Sequence, residues 1–124
     1  MLNQIFLDCI AHDGIVAVAS SSADGHAHVA NTWNKYLIIT KDEQILIPCF
    51  GFHKTEANAQ HNPQLEITIG SHEVQGKMGM GTGFLLQGTA EFLKEGPLFE
   101  AMHDKCSFCN RVLVFTPNSC KQTI

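Results

Sequence analysis

The chain has 124 residues, 44% of them hydrophobic, and a formal charge of −4, which suits a single domain over residues 1–124 with one buried core. Its basic residues include one arginine, Arg111, too little positive charge for the many phosphate contacts of a nucleic-acid backbone. No apolar run reaches the length of a membrane span, MLNQIFLDCIAHDG lacks a basic leader, and five cysteines form no regular framework, so the expected setting is cytoplasmic, with neither nucleic acid nor membrane as partner.

Leu2, Ile5, Phe6, Cys9 and Ile10 recur at three- and four-residue steps and predict a short packing helix, with Gly14 as its C-cap. IVAVAS, the turn signal Asp24-Gly25 and an extended stretch from Ala27 to Thr40 predict an antiparallel hairpin. KDEQ interrupts the pattern and ILIPCF resumes it as a third strand. GFHKTEANAQHNP follows at once: a glycine exit, then His53, Lys54 and Thr55 leading into a short helix, with Thr55 a candidate N-cap and Pro63 close behind.

QLEITIG alternates Leu65, Ile67 and Ile69 with Glu66 and Thr68, the pattern of a half-buried strand. GKMGMGTG, residues 76–83, places four glycines in eight positions and predicts a flexible loop. FLLQGTAEFL is extended, with Gly88 at a bulge or bend. Gly96-Pro97 opens a helix carrying Phe99, Met102 and Cys106 at helical spacing, and RVLVFT closes the chain as a last strand. The sum is mainly β with some α: six antiparallel strands in a small barrel, with short helices outside it.

Where could chemistry sit on this frame? Free N–H groups and the positive end of a helix dipole suit the start of the HKTEANA helix to an anion, above all a phosphate. The charge balance makes it a small molecule's phosphate. Lys54 would act as a point charge and Thr55 as a hydroxyl donor. Neither GxxxxGK[ST] nor a helix-opening GxGxxG is present. Asn31, Thr32 and Trp33, followed by Asn34 and Tyr36, offer polar edges and flat faces to a heteroaromatic ring, although a lone Trp and a lone Tyr equally suit a core. Pro48, Cys49, Phe50 and Gly51 read either as a backbone edge open to a planar ring or as a plain strand exit. His103, Cys106 and Cys109, at three-residue steps, read as a metal or thiol-redox module or as two buried thiols at a helix end; three ligands fall short of a structural zinc site. His26, His28, His61 and His72 lie mostly in polar stretches and read as solvated. His12, beside Asp13, is a proton donor or another solvated histidine.

NTWNKYL, IPCFGFHKTEANA, GTGFLLQGTAEF and the terminal QTI, in this order over nearly the whole chain, resemble the small FMN-binding proteins of the pyridoxamine 5'-phosphate oxidase-like split-barrel superfamily. The resemblance implies a split barrel, a homodimer and non-covalent FMN at the subunit interface. It implies that Asn31, Thr32 and Trp33 contact the ring, that Pro48, Cys49 and Gly51 approach its edge, and that Lys54 and Thr55 hold the phosphate, with Phe50, His53 and Phe108 also among the cofactor-binding residues. Gly81, Thr82 and Gly83 would come near the cofactor, Ile124 would cover the ring, and Asp13 would tune its electrostatics. Phe108 stands where these relatives carry a tryptophan from the partner subunit, in a segment one residue longer, and Cys49 and Phe50 replace smaller residues. The implied activity is electron transfer or oxidoreduction with a redox partner protein or a small-molecule donor or acceptor. The alternatives are a pyridoxamine phosphate oxidase-like enzyme or flavin reductase of the same fold, and the Cys/His module.

Overall fold

A computed structural model describes residues 1–124. Seven strands form one antiparallel sheet: β1 (Ile15–Ser21), β2 (Ala27–Trp33), β3 (Ile38–Ile39), β4 (Ile45–Cys49), β5 (Gln64–Gln75), β6 (Met80–Leu93) and β7 (Arg111–Gln122), in the order β2-β1-β5-β6-β7-β4-β3. Three helices pack on it: α1 (Gln4–Ile10), α2 (His53–His61) and α3 (Pro97–Lys105). The two end strands, β2 and β3, are consecutive in the chain. The link between them spans at most about 18 Å even when extended, so the sheet curls until its edges are neighbours without pairing. This is the split barrel.

The seventh strand comes from a break in the stretch expected to run from Ala27 to Thr40. Asn34–Tyr36 form a 3-10 turn, pinned by the Asn34 amide. Its Nδ2 lies 3.1 Å from Cys9 O, 3.3 Å from His12 O and 2.9 Å from Gly70 O, and its backbone N–H donates to Gly14 O at 2.9 Å. Gly14 is therefore not the C-cap of α1. Ala11 is, and Gly14 is required instead because a Cβ there would collide with Gly70 O and the Asn34 side chain. The predicted 76–83 loop shortens as well: Gly76 N–H donates to Gly79 O, and residues 80–83 already belong to β6, paired with β5.

Two apolar layers explain the strands. Val16, Val18, Ile45, Ile47, Leu65, Ile67, Ile69, Phe84, Leu86, Leu113 and Phe115 fill the barrel, with Phe6 and Cys9 of α1 closing one end. Leu46, Val112 and Val114 point the other way and meet Met102, Cys106 and Cys109. Strands β4 and the start of β7 are thus covered on both faces, which is why ILIPC and VLVF are continuously apolar while β5 alternates. At Gly88 the register slips, pairing Gln87 with Ser119 but Gly88 with Pro117 and leaving Asn118 unopposed. That is the predicted bulge. Gly96 and Pro97 open α3 as expected, although Cys106 is its C-cap and lies just outside the helix.

Candidate functional site

Strand β4 delivers the chain to the start of α2 through Phe50, Gly51 and Phe52. Phe52 is the N-cap, with φ 64°, and no side chain caps the helix. Thr55 is accordingly not the N-cap but lies within the first turn. A left-handed non-glycine residue costs on the order of 1 kcal/mol and persists where its surroundings over-determine it. Here the Phe52 side chain packs against the barrel core, and Arg111 engages the two carbonyls that precede it. Arg111 Nε donates to Glu56 Oε1 at 2.6 Å, and Nη1 lies 3.4 Å from Phe50 O and 2.5 Å from Asn110 Oδ1. Nη2 donates to Gly51 O.

This arrangement leaves the first turn of α2 able to receive an anion. The backbone bond reaching back from that turn is Glu56 N–H to Phe52 O, 2.9 Å, so the preceding N–H groups remain at the positive end of the dipole. Thr55 is fully buried, and its Oγ1 has no hydrogen-bond partner within the chain, a condition native proteins rarely tolerate without a purpose. Lys54 and His53 are exposed beside it. A Cβ at Gly51 would meet nothing within 4 Å, so the backbone there is open to a planar group. An adjoining cleft of about 360 Å³ is lined by His53, Glu56, Lys94, Asn110 and Arg111. The turn between β1 and β2 also comes near: Asp24 is held below the usual carboxylate range by a hydrogen bond from Ser22 and, to a smaller extent, by the Lys54 charge.

Cys49 ends β4 fully buried. Burial pushes its thiol up to about 12, against a smaller opposing effect of Arg111, so at neutral pH it is an uncharged apolar wall with no nucleophilic thiolate.

The other expected residues divide by the pleat of their strands. Thr32 faces inward, 6% exposed, and Trp33 faces outward, 52% exposed, so this tryptophan is not a core residue. Asn31 is on Trp33's side, its Nδ2 lying 3.4 Å from Val16 O. Asp13, Ile15, Gly81, Thr82 and Ile124 border a separate cleft of about 590 Å³. The carboxyl end is tied there: Thr82 Oγ1 donates to Ile124 O at 2.8 Å, and Gln122 Nε2 donates to Thr82 Oγ1 at 3.0 Å. Gly83 is buried on the same strand end. Asp13 forms an exposed ion pair with Lys35, 3.3 Å. Phe108 packs on Tyr36, with ring centroids 5.4 Å apart, and is 46% exposed. Two groups of candidate residues thus border clefts, one at the start of α2 and one at the glycine-rich end of β6; neither cleft contains both, and Asn31, Thr32, Trp33 and Phe108 line neither.

The Cys/His spacing does not converge. His103 stacks on Phe99 at 5.4 Å, Cys106 and Cys109 face the second core layer, and no three His, Cys, Asp or Glu side chains are arranged to hold a metal. Sequence reasoning counted Arg111 only as charge and passed over Glu56, Lys94 and the structural part of Asn34. The available signal was an arginine opening an otherwise apolar strand, NRVLVF, since a charge entering a core run has to find a buried partner.

Comparison with known proteins adds sequence and fold. The profile of the family described as pyridoxamine 5'-phosphate oxidase matches residues 2–118. A protein of Nitratidesulfovibrio vulgaris (strain DSM 19637 / Miyazaki F) named FMN-binding protein is 40% identical over 124 residues, all of both chains. Among solved structures, HupZ of Group A Streptococcus superposes with a TM-score of 0.79 at 19% identity, covering 98% of this chain and 94% of its own. An FMN-binding protein of Syntrophomonas wolfei subsp. wolfei gives 0.71 at 16% identity, covering 88% and 76%.

Proposed function

The chain belongs to the pyridoxamine 5'-phosphate oxidase family, and from that premise we propose that it is a flavoprotein that holds FMN non-covalently at a homodimer interface and exchanges electrons with a redox partner, protein or small molecule. The observation that carries the reading is the uncapped first turn of α2, with the buried, unpartnered Thr55 hydroxyl beside the exposed Lys54. The full-length relative named FMN-binding protein supports the choice of anion.

Bound FMN supplies one- and two-electron chemistry. Lys54, the Thr55 hydroxyl and the first-turn amides would hold its phosphate, and Asn31, Thr32, Trp33, Pro48, Cys49 and Gly51 would border the ring. Asp13, Gly81, Thr82, Gly83, Phe108 and Ile124 would close the site from a second copy, which accounts for the two separate patches. The outer sheet face offers that copy a contact surface: Ile15 pairs with Trp33, and Ile15, Val29 and Trp33 are each more than half exposed. Every N–H-bearing nitrogen of the single arginine is engaged inside the protein, which leaves little to grip a second phosphorylated ligand and favours electron exchange over oxidation of a phosphorylated amine.

The purified protein is expected to be yellow, to release FMN rather than FAD on acid treatment and to elute as a dimer. A colourless protein that fails to quench added FMN fluorescence overturns the proposal, and turnover of pyridoxamine phosphate would replace electron exchange with oxidase chemistry. A carboxylate beside the ring opposes added negative charge, so Asp13→Asn should raise the flavin midpoint potential in a spectroelectrochemical titration; an unchanged value removes Asp13 from that role.

A further inference from the structure

The most unusual polar group outside the proposed contacts is Arg111, whose side chain is 6% exposed. It sits opposite Cys49 in the β4–β7 pair and turns towards the link that leads into α2. Its nitrogens reach four acceptors: two consecutive carbonyls of that link, the carboxylate in the first turn of the helix, and the neighbouring Asn110 side chain. Only a guanidinium has a planar fork of five donors able to do this. With its nitrogens so occupied, Arg111 is not itself a phosphate ligand.

We propose that Arg111 is a positioning residue that fixes the anion-binding turn of α2, and so determines how strongly the protein prefers a phosphorylated flavin to the same flavin without phosphate. The inference rests on the FMN reading above. Its physical content is that the fork fixes two anchors of one short segment. Gripping the Phe50 and Gly51 carbonyls holds Phe52 in the left-handed conformation that ends the link, and pairing with Glu56 sets the helix relative to it. The first-turn amides, Lys54 and the Thr55 hydroxyl follow directly on that anchored link, and Arg111 hydrogen-bonds none of them. Glu56 also places a negative charge near the anion site, and its pairing with Arg111 neutralises that charge.

A merely stabilising arginine would, when altered, weaken all flavins alike. A positioning role predicts a selective loss. Dissociation constants of FMN and riboflavin are measured by fluorescence quenching for the wild type, Arg111→Lys and Glu56→Gln, with thermal unfolding of each apoprotein alongside. Lysine keeps the charge but cannot span both carbonyls and the carboxylate. Expected are an FMN constant raised about tenfold or more in Arg111→Lys with a riboflavin constant changed less than about threefold, and in Glu56→Gln, which keeps the shape of the side chain but removes a negative charge near the anion, an FMN constant changed less than in Arg111→Lys. In Arg111→Lys, equal loss for both ligands, or no loss for either, overturns the inference while leaving the FMN reading in place. Failure of both variants to fold assigns Arg111 to stability alone and overturns it too. A wild type that binds neither ligand, or both equally, removes the phosphate reading itself.

Discussion

Lys54→Ala is expected to weaken FMN binding by about 1.5–3 kcal/mol, the usual contribution of a charge-assisted hydrogen bond. Lys54 forms no ion pair within the chain, so the apoprotein should melt at nearly the wild-type temperature. Thr55→Val separates the hydroxyl from its packing. Because Oγ1 has no partner within the chain, removing it should leave the apoprotein as stable or slightly more so, whereas an ordinary buried threonine would lose a hydrogen bond. The same variant should bind FMN more weakly than wild type. Titration of both variants by flavin fluorescence checks the pair. Affinities within about twofold of wild type would move the phosphate away from α2.

Asn34→Asp should cost about 3–5 kcal/mol of stability, the penalty of a buried charge without a partner. The Asn34 side-chain amide faces three carbonyl oxygens, from Cys9, His12 and Gly70, and the residue is 1% exposed. A carboxylate there would turn donors into repelled oxygens. Protonation restores one donor, so the defect should be milder at low pH and grow as pH rises through the carboxyl's ionisation. Asn34→Ala should fall between wild type and Asp, taking the amide away from three carbonyls, of which Cys9 O still accepts from His12 N–H, without adding charge. Urea denaturation at two pH values measures all three proteins. An Asp variant as stable as wild type would mean that the amide does not tie the β2–β3 turn to α1 and β5.

Asn34 also illustrates how far local pattern reaches. The run from Ala27 to Thr40 reads as one strand because nothing in its propensities interrupts it. The interruption is imposed by three acceptors that lie at least 22 residues away in sequence, and it divides one strand into two. Thr55 shows the same limit at the site. Its place beside Lys54 pointed to the anion cradle, but the N-cap assignment depended on a helix start at Thr55. Arg111, more than 50 residues distant, binds the two carbonyls before Phe52, Phe52 takes a conformation that a phenylalanine seldom adopts, and the helix starts earlier.

What the amino-acid sequence determined by itself is the local and periodic part: the alternation of β5, the apolar strands β4 and β7, the proline-opened α3, the Gly88 bulge and the polar cluster at the start of α2. Each follows from neighbours a few residues apart, because pleat, helical turn and backbone sterics act over that range. Only the tertiary structure decided the strand count, the burial of Thr55, the outward face of Trp33 and the engagement of Arg111. These depend on which distant carbonyls and carboxylates meet a given donor, and on the closure of a curled sheet, and a buried hydrogen bond carries no record of its partner in the adjacent sequence.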